Sequence, residues 1–248
     1  MVDRRGMRDP ISFNQDWHVK STFSDGTGTV AENAQAAEAL GLQSICVVDR
    51  ARPTSPWIPD LAEACRKADR EVDFEVFSGV EVDLLNTHGT LDAPPLLSSA
   101  DYIYVAADRL PTPEGPLEPL DARAQIEDGE LIAARAVEWL VRGYANATRR
   151  DAAVVLARPF SVLPQMGIDP EAIHPSYVRW LAGVMQENGA AAEIHESSRT
   201  PARSLVDCFM TARLPLLPGS GTASPEGVGR FSWSPGLMGG LSSLACAA

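Results

Sequence analysis

The sequence predicts a single α/β domain, a distorted (β/α)7 barrel of TIM-like type, on three observations. Short apolar, β-branched runs alternate with longer stretches of helical character, the order expected when parallel strands are joined by right-handed crossovers. At 248 residues, with 45% hydrophobic and 22% charged residues, the chain has the length and composition of one large globular core. Nearly every strand-like run also ends in a charged or polar residue, the place where barrel strands hand over to functional loops.

Strands are expected over Asp16 to Thr22, Ser44 to Val48, Glu75 to Leu85, Tyr102 to Ala106, Ala153 to Ala157, Ala191 to Ile194 and Leu214 to Leu217. About seven such strands suit a closed barrel better than an open sheet. Helices are expected between them, over Val30 to Leu40, Ile58 to Asp69, Leu131 to Ala147, Glu171 to Asn188 and Ala202 to Ala212. The first begins on Thr29-Val30-Ala31-Glu32, a capping-box pattern, and stops at Gly41. Pro111 to Asp128, rich in Pro, Glu and Asp without periodicity, reads as a surface excursion. The Gly/Ser/Ala-rich tail from Ser232 to Ala248 reads as mobile or as a loosely ordered last helix. No boundary divides the chain, so residues 1–248 are expected to form one domain with its core over 16–231.

The formal net charge of −12 argues against nucleic acid as a partner, since a polyphosphate would be repelled at long range. No apolar run reaches membrane-spanning length, and the charged start lacks the apolar stretch of a secretory signal. No membrane association and a cytoplasmic location are the expectation. Cys46, Cys65, Cys208 and Cys246 stand far apart without CxxC pairing, so neither a disulfide framework nor a zinc-thiolate site is implied. His88 reads as a turn residue, His174 as a loop residue, and Trp139 and Trp180 as core.

The strand ends carry His18, Lys20 and Asp25; Asp49 and Arg50; Glu81 and Asp83; Asp108; Arg158; Glu193 and His195; and Ser220. Converging at one barrel mouth, these charges must pair with each other, with metal or with ligand. The stretches that hold them also resemble a known family, in order and over about residues 16 to 231. Asp16 to Gly28 is similar to the HxH…SDG opening of the PHP (polymerase and histidinol phosphatase) family. Val47-Val48-Asp49-Arg50 stands at its TDH segment, and Gly79 to Leu85 with Gly89 to Asp92 at its GxExD…GxLD. Asp101 to Asp108 matches a strand that ends in His, Leu156 to Pro159 an AHP segment, and Ala192 to His195 an EIN segment. Gly219 to Phe231 resembles GSDAHSPEDVGRF.

The resemblance implies a PHP-type barrel and, in its enzymes, two or three divalent cations that activate water for phosphoester hydrolysis. Carried over position by position, His18, Asp25 and Glu81 are retained. Three imidazole positions hold the cations Lys20, Arg50 and Arg158; a fourth holds Asp108; the last Asp and His are Gly221 and Ala223. Charged Lys and Arg have no lone pair to give a metal, so the resemblance implies a degenerate site without a metal cofactor. At most one weakly held Zn or Mn would remain, with His18, Asp25, Glu81 and Asp108 as residual ligands.

Two readings of the three cations stay open. They form an internal salt-bridge network that keeps the old cavity satisfied, or they bind a small phosphate- or carboxylate-bearing molecule. On the second, Lys20, Arg50 and Arg158 hold the anion, and His18, Glu81, Asp108 and His195 are the candidate catalytic acid/base groups, His195 beside Glu193. On the first, the chain is an inactive barrel kept for interaction with a protein partner. A third possibility is a phosphoesterase working with a reduced metal site.

Overall fold

The computed structural model describes residues 11–239. Along the chain come β1 (Gln15–Val19), α1 (Val30–Ala39), β2 (Ser44–Arg50), α2 (Ile58–Glu71), β3 (Glu75–Leu84), β4 (Leu91–Asp92) and β5 (Tyr102–Ala106). Then follow β6 (Leu110–Pro111), β7 (Pro116–Leu117), α3 (Pro119–Glu127), α4 (Ala133–Ala147), β8 (Val154–Leu156) and α5 (Pro175–Glu187). The last are β9 (Ala191–His195), α6 (Arg203–Thr211), β10 (Leu216–Gly219) and α7 (Ser234–Gly239).

Seven strands pair in parallel in the order β1-β2-β3-β5-β8-β9-β10, and β4 adds antiparallel to β3. The ends of this sheet meet. A parallel bridge joins Val19 to Thr222, the Gly221 N–H donates to the His18 carbonyl at 2.9 Å, and the Lys20 N–H donates to the Thr222 carbonyl at 2.9 Å. The buried Asp16 carboxylate stitches the same seam by accepting from the backbone N–H of Ser220 (2.9 Å) and Gly229 (2.8 Å). The expected seven-stranded TIM-like barrel is therefore the fold.

Side chains alternate across each strand, so every strand faces the helices on one side and the barrel interior on the other. The interior cluster contains Trp17, Cys46, Val48, Tyr102, Tyr104, Val155, Leu217 and small alanines on β5, on β9 and at either end of β8, with Phe77 packed against it. Trp17 stacks on Phe77 (5.3 Å between centroids) and meets the Tyr102 edge at 5.4 Å. Gly79 makes room for this filling: a Cβ there would stand 2.9 to 3.0 Å from Val48, Cys46 and Tyr104. The register of β1 shifts between Asp16 and Val19. That irregularity lets two successive residues reach the interior, Trp17 in the packed floor and His18 against the Tyr104 ring. The larger cluster lies between sheet and helices, where α2 buries Ile58, Leu61, Ala62, Cys65 and Ala68.

The helices start and stop where their sequences direct. Thr29 and Glu32 form the reciprocal capping box of α1. His174 is more than a loop residue, because its side chain caps α5 by accepting from the Ser176 N–H. Two expectations are corrected. Residues 111–128 are not a structureless excursion, since they hold the β6–β7 hairpin and α3, which starts on Pro119. Trp180 is not core; it lies 48% exposed on α5. Residues 234–239 of the tail form α7, whereas residues 240–248, with Cys246, lie outside the described residues.

Candidate active site

The C-terminal strand ends gather an ion-pair network at the barrel mouth. Period-two alternation on β3 turns both Glu81 and Asp83 inward, and Arg50 at the end of β2 stands beside them. Asp108 follows β5 and Arg158 follows β8. The Arg158 guanidinium spans Glu81 in a two-pronged contact, with both nitrogens at 3.0 Å, and its Nη2 also donates to Asp108 at 3.1 Å. Arg50 donates to Asp83 at 2.6 Å, lies 2.7 Å from Asp108 and approaches Glu81 to 3.9 Å. Arg109 adds a contact to Asp83 at 3.6 Å. Burial disfavours the Arg158 charge, yet Glu81 and Asp108 outweigh it and raise the group above the usual arginine range. Burial likewise opposes the Asp108 charge, but Arg158 and Arg50 hold its carboxyl below the usual range. Asp83 goes the other way, because burial outweighs its contact with Arg50.

Deeper in the barrel, His18, Glu193 and His195 form a second group. His18 Nδ1 and Glu193 Oε1 lie 2.6 Å apart, and His18 Nε2 is 3.8 Å from Glu81. The other Glu193 oxygen accepts the Arg158 backbone N–H at 2.8 Å. Gly219 permits this pairing, since a Cβ there would come within 2.6 Å of the His18 Cβ and 2.7 Å of Glu193. Although burial opposes its charge, Glu193 is held down to about 2 by His18 and His195 beside it. The His195 ring crosses His18 edge-on at 5.0 Å. Burial pushes His195 down to about 4, with the positive charges of His18, Arg158 and Lys20 acting in the same sense.

The sequence-selected residues do not all converge. His18, Arg50, Glu81, Asp108, Arg158 and His195 do. Lys20 is half-buried and makes no ion pair with a described residue, although its charge bears on His195. Asp25 is exposed on the β1–α1 loop, apart from the network. Asp49 is buried and meets no cation among the described residues; it accepts from Ser21 and Ser24, fixing that loop. Glu193 hydrogen-bonds His18 in place of the expected His195. His195 Nδ1 instead accepts the Ser198 backbone N–H at 3.1 Å and contacts the Ser198 hydroxyl at 2.7 Å.

A cleft of about 390 Å³ opens beside the network, lined in part by Asp108, Arg158, Phe160, Ser161, Ser198 and Arg199. Among the described residues, four non-glycine residues have left-handed backbones, and three of them line this cleft: Arg158 (φ 43°), Phe160 (φ 67°) and Arg199 (φ 52°). Such strain persists only where the surroundings enforce it and concentrates at functional sites. Arg199 and Ser198 escaped the sequence reading, because nothing in their residue types signals a left-handed turn.

His18, Glu193 and His195 together offer three ligand-type atoms within 4.8 Å of one another, so a possible metal-binding triad exists. Its hydrogen bonds bear on that possibility. The Ser198 N–H requires a lone pair on His195 Nδ1, which places the proton of the neutral ring on Nε2. A metal ion at Nε2 would need the opposite tautomer. The carboxylates Glu81 and Asp108 are meanwhile spanned by guanidinium.

The model of the PHP domain family matches residues 16–151, and the chain belongs to that family. Among solved structures it is similar to histidinol phosphate phosphatase from Lactococcus lactis subsp. lactis Il1403, determined with zinc, L-histidinol and phosphate. That match has TM-score 0.61 and 12% identity and covers 93% of this chain and 94% of the other. A proposed metal-dependent phosphoesterase from Bifidobacterium adolescentis ATCC 15703 matches at TM-score 0.45 and 16% identity, over 86% and 88% of the two chains. No curated protein matches the chain. The fold is that of the PHP domain, shared with the Lactococcus structure, and no helix among the described residues is long and apolar enough to cross a membrane.

Proposed function

We propose that this chain is a metal-independent PHP-fold protein that binds a small phosphate- or carboxylate-bearing molecule at the barrel mouth. The observation that carries the reading is the Arg158 guanidinium spanning Glu81 and reaching Asp108. At family positions that resemble metal ligands, a fixed cation supplies the positive charge that the carboxylates need and takes up part of their accepting capacity. The tautomer of His195 weighs the same way. Lys20 and Arg199 remain as cations without an ion-pair partner among the described residues, Arg199 on the cleft beside Arg158. They support anion binding where Arg50 and Arg158 are already largely neutralised. Glu81 and Asp108 accept from guanidinium, which leaves the His18–Glu193 pair as the better acid/base candidate. The phosphate bound by the Lactococcus relative is in keeping with such a ligand.

A second reading rests on the same geometry: Arg50 and Arg158 satisfy the cavity internally, so the barrel is an inactive scaffold. Thermal unfolding in increasing inorganic phosphate, with and without EDTA, tests the two together. A saturable rise in Tm, unchanged by EDTA and reduced in Arg199→Ala, is expected, because a ligand that binds only the folded chain stabilises it by mass action. No rise with phosphate or with small carboxylates favours the scaffold. Stoichiometric zinc or manganese in the purified protein, with binding lost on chelation, overturns metal independence.

A further inference from the structure

Among the described residues, the buried side-chain polar atoms without a partner are Asn33 Oδ1, Ser44 Oγ, Ser204 Oγ and His195 Nε2. The last belongs to the buried group beneath the barrel mouth, on a residue only 5% exposed. Its chemistry is fixed by its neighbours. Since Nδ1 accepts the Ser198 N–H, Nε2 is a donor that lacks an acceptor. A buried orphan donor carries a desolvation penalty of about 1–3 kcal/mol and calls for an oxygen.

We propose that His195 Nε2–H donates to an oxygen of the bound anion. This rests on the anion-binding reading and names the group that recognises the ligand. A ring that is neutral and a donor suits a phosphate or carboxylate oxygen, and in this tautomer its Nε2 has no lone pair for a cation. Residue 221 is part of the arrangement. A Cβ there would lie 2.2 Å from His195 Nε2, and Gly221 adopts a φ of 65°. The imidazole therefore occupies its position only because residue 221 has no side chain, at the point where the resembling family motif carries Asp. The pair His195 and Gly221 places an N–H donor where a carboxylate ligand would otherwise project. In the present conformation Nε2 lies against Gly221, with the exposed Ser197 side chain on the same side, so an anion reaches it once Ser197 turns aside while the Ser198 N–H stays on Nδ1.

The test uses the full chain, isotopically labelled at histidine, titrated with inorganic phosphate and separately with acetate. The His195 ring is expected in the Nε2–H tautomer, with its Nε2–H resonance moving as the anion saturates. His195→Leu should weaken binding about 10- to 100-fold, the range for losing a hydrogen bond to a charged acceptor, and His195→Asn, which keeps an N–H donor, should recover part of it. Phosphate binding that His195→Leu leaves intact, or a wild-type resonance that does not move at saturation, overturns the inference and spares anion binding. If neither anion binds the wild type, both readings fall. Should His195→Leu not fold, the wild-type titration decides alone. One equivalent of zinc bound through His195, seen as loss of the Nε2 proton, also overturns the inference.

Discussion

Arg158 combines a strained backbone with a side chain committed to two carboxylates. A left-handed non-glycine residue costs about 1–3 kcal/mol, and this one, at φ 43°, turns its N–H to Glu193 and its guanidinium to Glu81 and Asp108. Removing one partner of a buried pair strands the other. Arg158→Met should therefore destabilise by about 3–5 kcal/mol, whereas Arg158→Met combined with Glu81→Leu should recover much of that loss; urea midpoints of the two variants measure the difference. Additive losses would show that the pair is not coupled. His195 sets an acid-side limit. Its folded value near 4 lies below its ordinary 6.5, so the unfolded chain takes up the proton first as pH falls. The stability this neutral ring allows is complete above pH 6.5 and is lost between 6.5 and about 4, up to about 3 kcal/mol for a shift of that size. His195→Asn should flatten the dependence of urea midpoint on pH in that window, and an unchanged slope would assign the acid sensitivity elsewhere.

Elements were legible where the pattern was local and strong. The strand β5 was expected with its observed limits, and α1 was found from its capping box to within a residue. What escaped was set by long-range contact. β6 and β7 are two residues each and carry no periodicity of their own. The inward turn of Trp17 and His18 together depends on the register of β1 against β2. At the site, charged strand ends were readable from residue type, but which carboxylate meets which cation follows from barrel closure, so Glu193 was matched to His195 when it pairs with His18. Glu196, one residue beyond β9, shows the same limit. Its carboxylate accepts from the backbone N–H of Ser232 (2.9 Å), Trp233 (2.7 Å) and Ser234 (2.9 Å) and from both serine hydroxyls. It thus ties the start of α7 to the strand that bears His195. Partial burial opposes its charge, but those hydrogen bonds hold Glu196 down to about 2. The tie is present above its ordinary value of 4.5 and is lost as pH falls toward 2. Glu196→Gln should speed amide exchange at Ser232 to Ser234 about tenfold or more while leaving the barrel strands protected; unaltered exchange would show that α7 is held by other contacts.

At the scale of the whole molecule, the sheet becomes a barrel only at the seam between β1 and the residues after β10. The bridge Val19–Thr222 is short, and the buried Asp16 carboxylate reinforces it by accepting from the N–H groups of His18 (3.2 Å), Ser220 (2.9 Å) and Gly229 (2.8 Å). Burial raises the Asp16 carboxyl above its ordinary value despite these bonds, so the carboxylate is kept in place at an electrostatic cost. The seam also sets the site, since it brings His18 on β1 across to Glu193 on β9 through the gap left by Gly219. Asp16→Ala would orphan backbone donors on both sides of the seam, at about 1–3 kcal/mol each. The expected result is a fall of about 3 kcal/mol or more in unfolding free energy, still in one cooperative transition, because residues on both sides share one core. Phosphate binding should weaken in the same variant, as His18 and His195 lose their fixed spacing. A variant that lost stability yet bound phosphate as the wild type does would place the anion on the cleft side, with Arg199, and not at the seam.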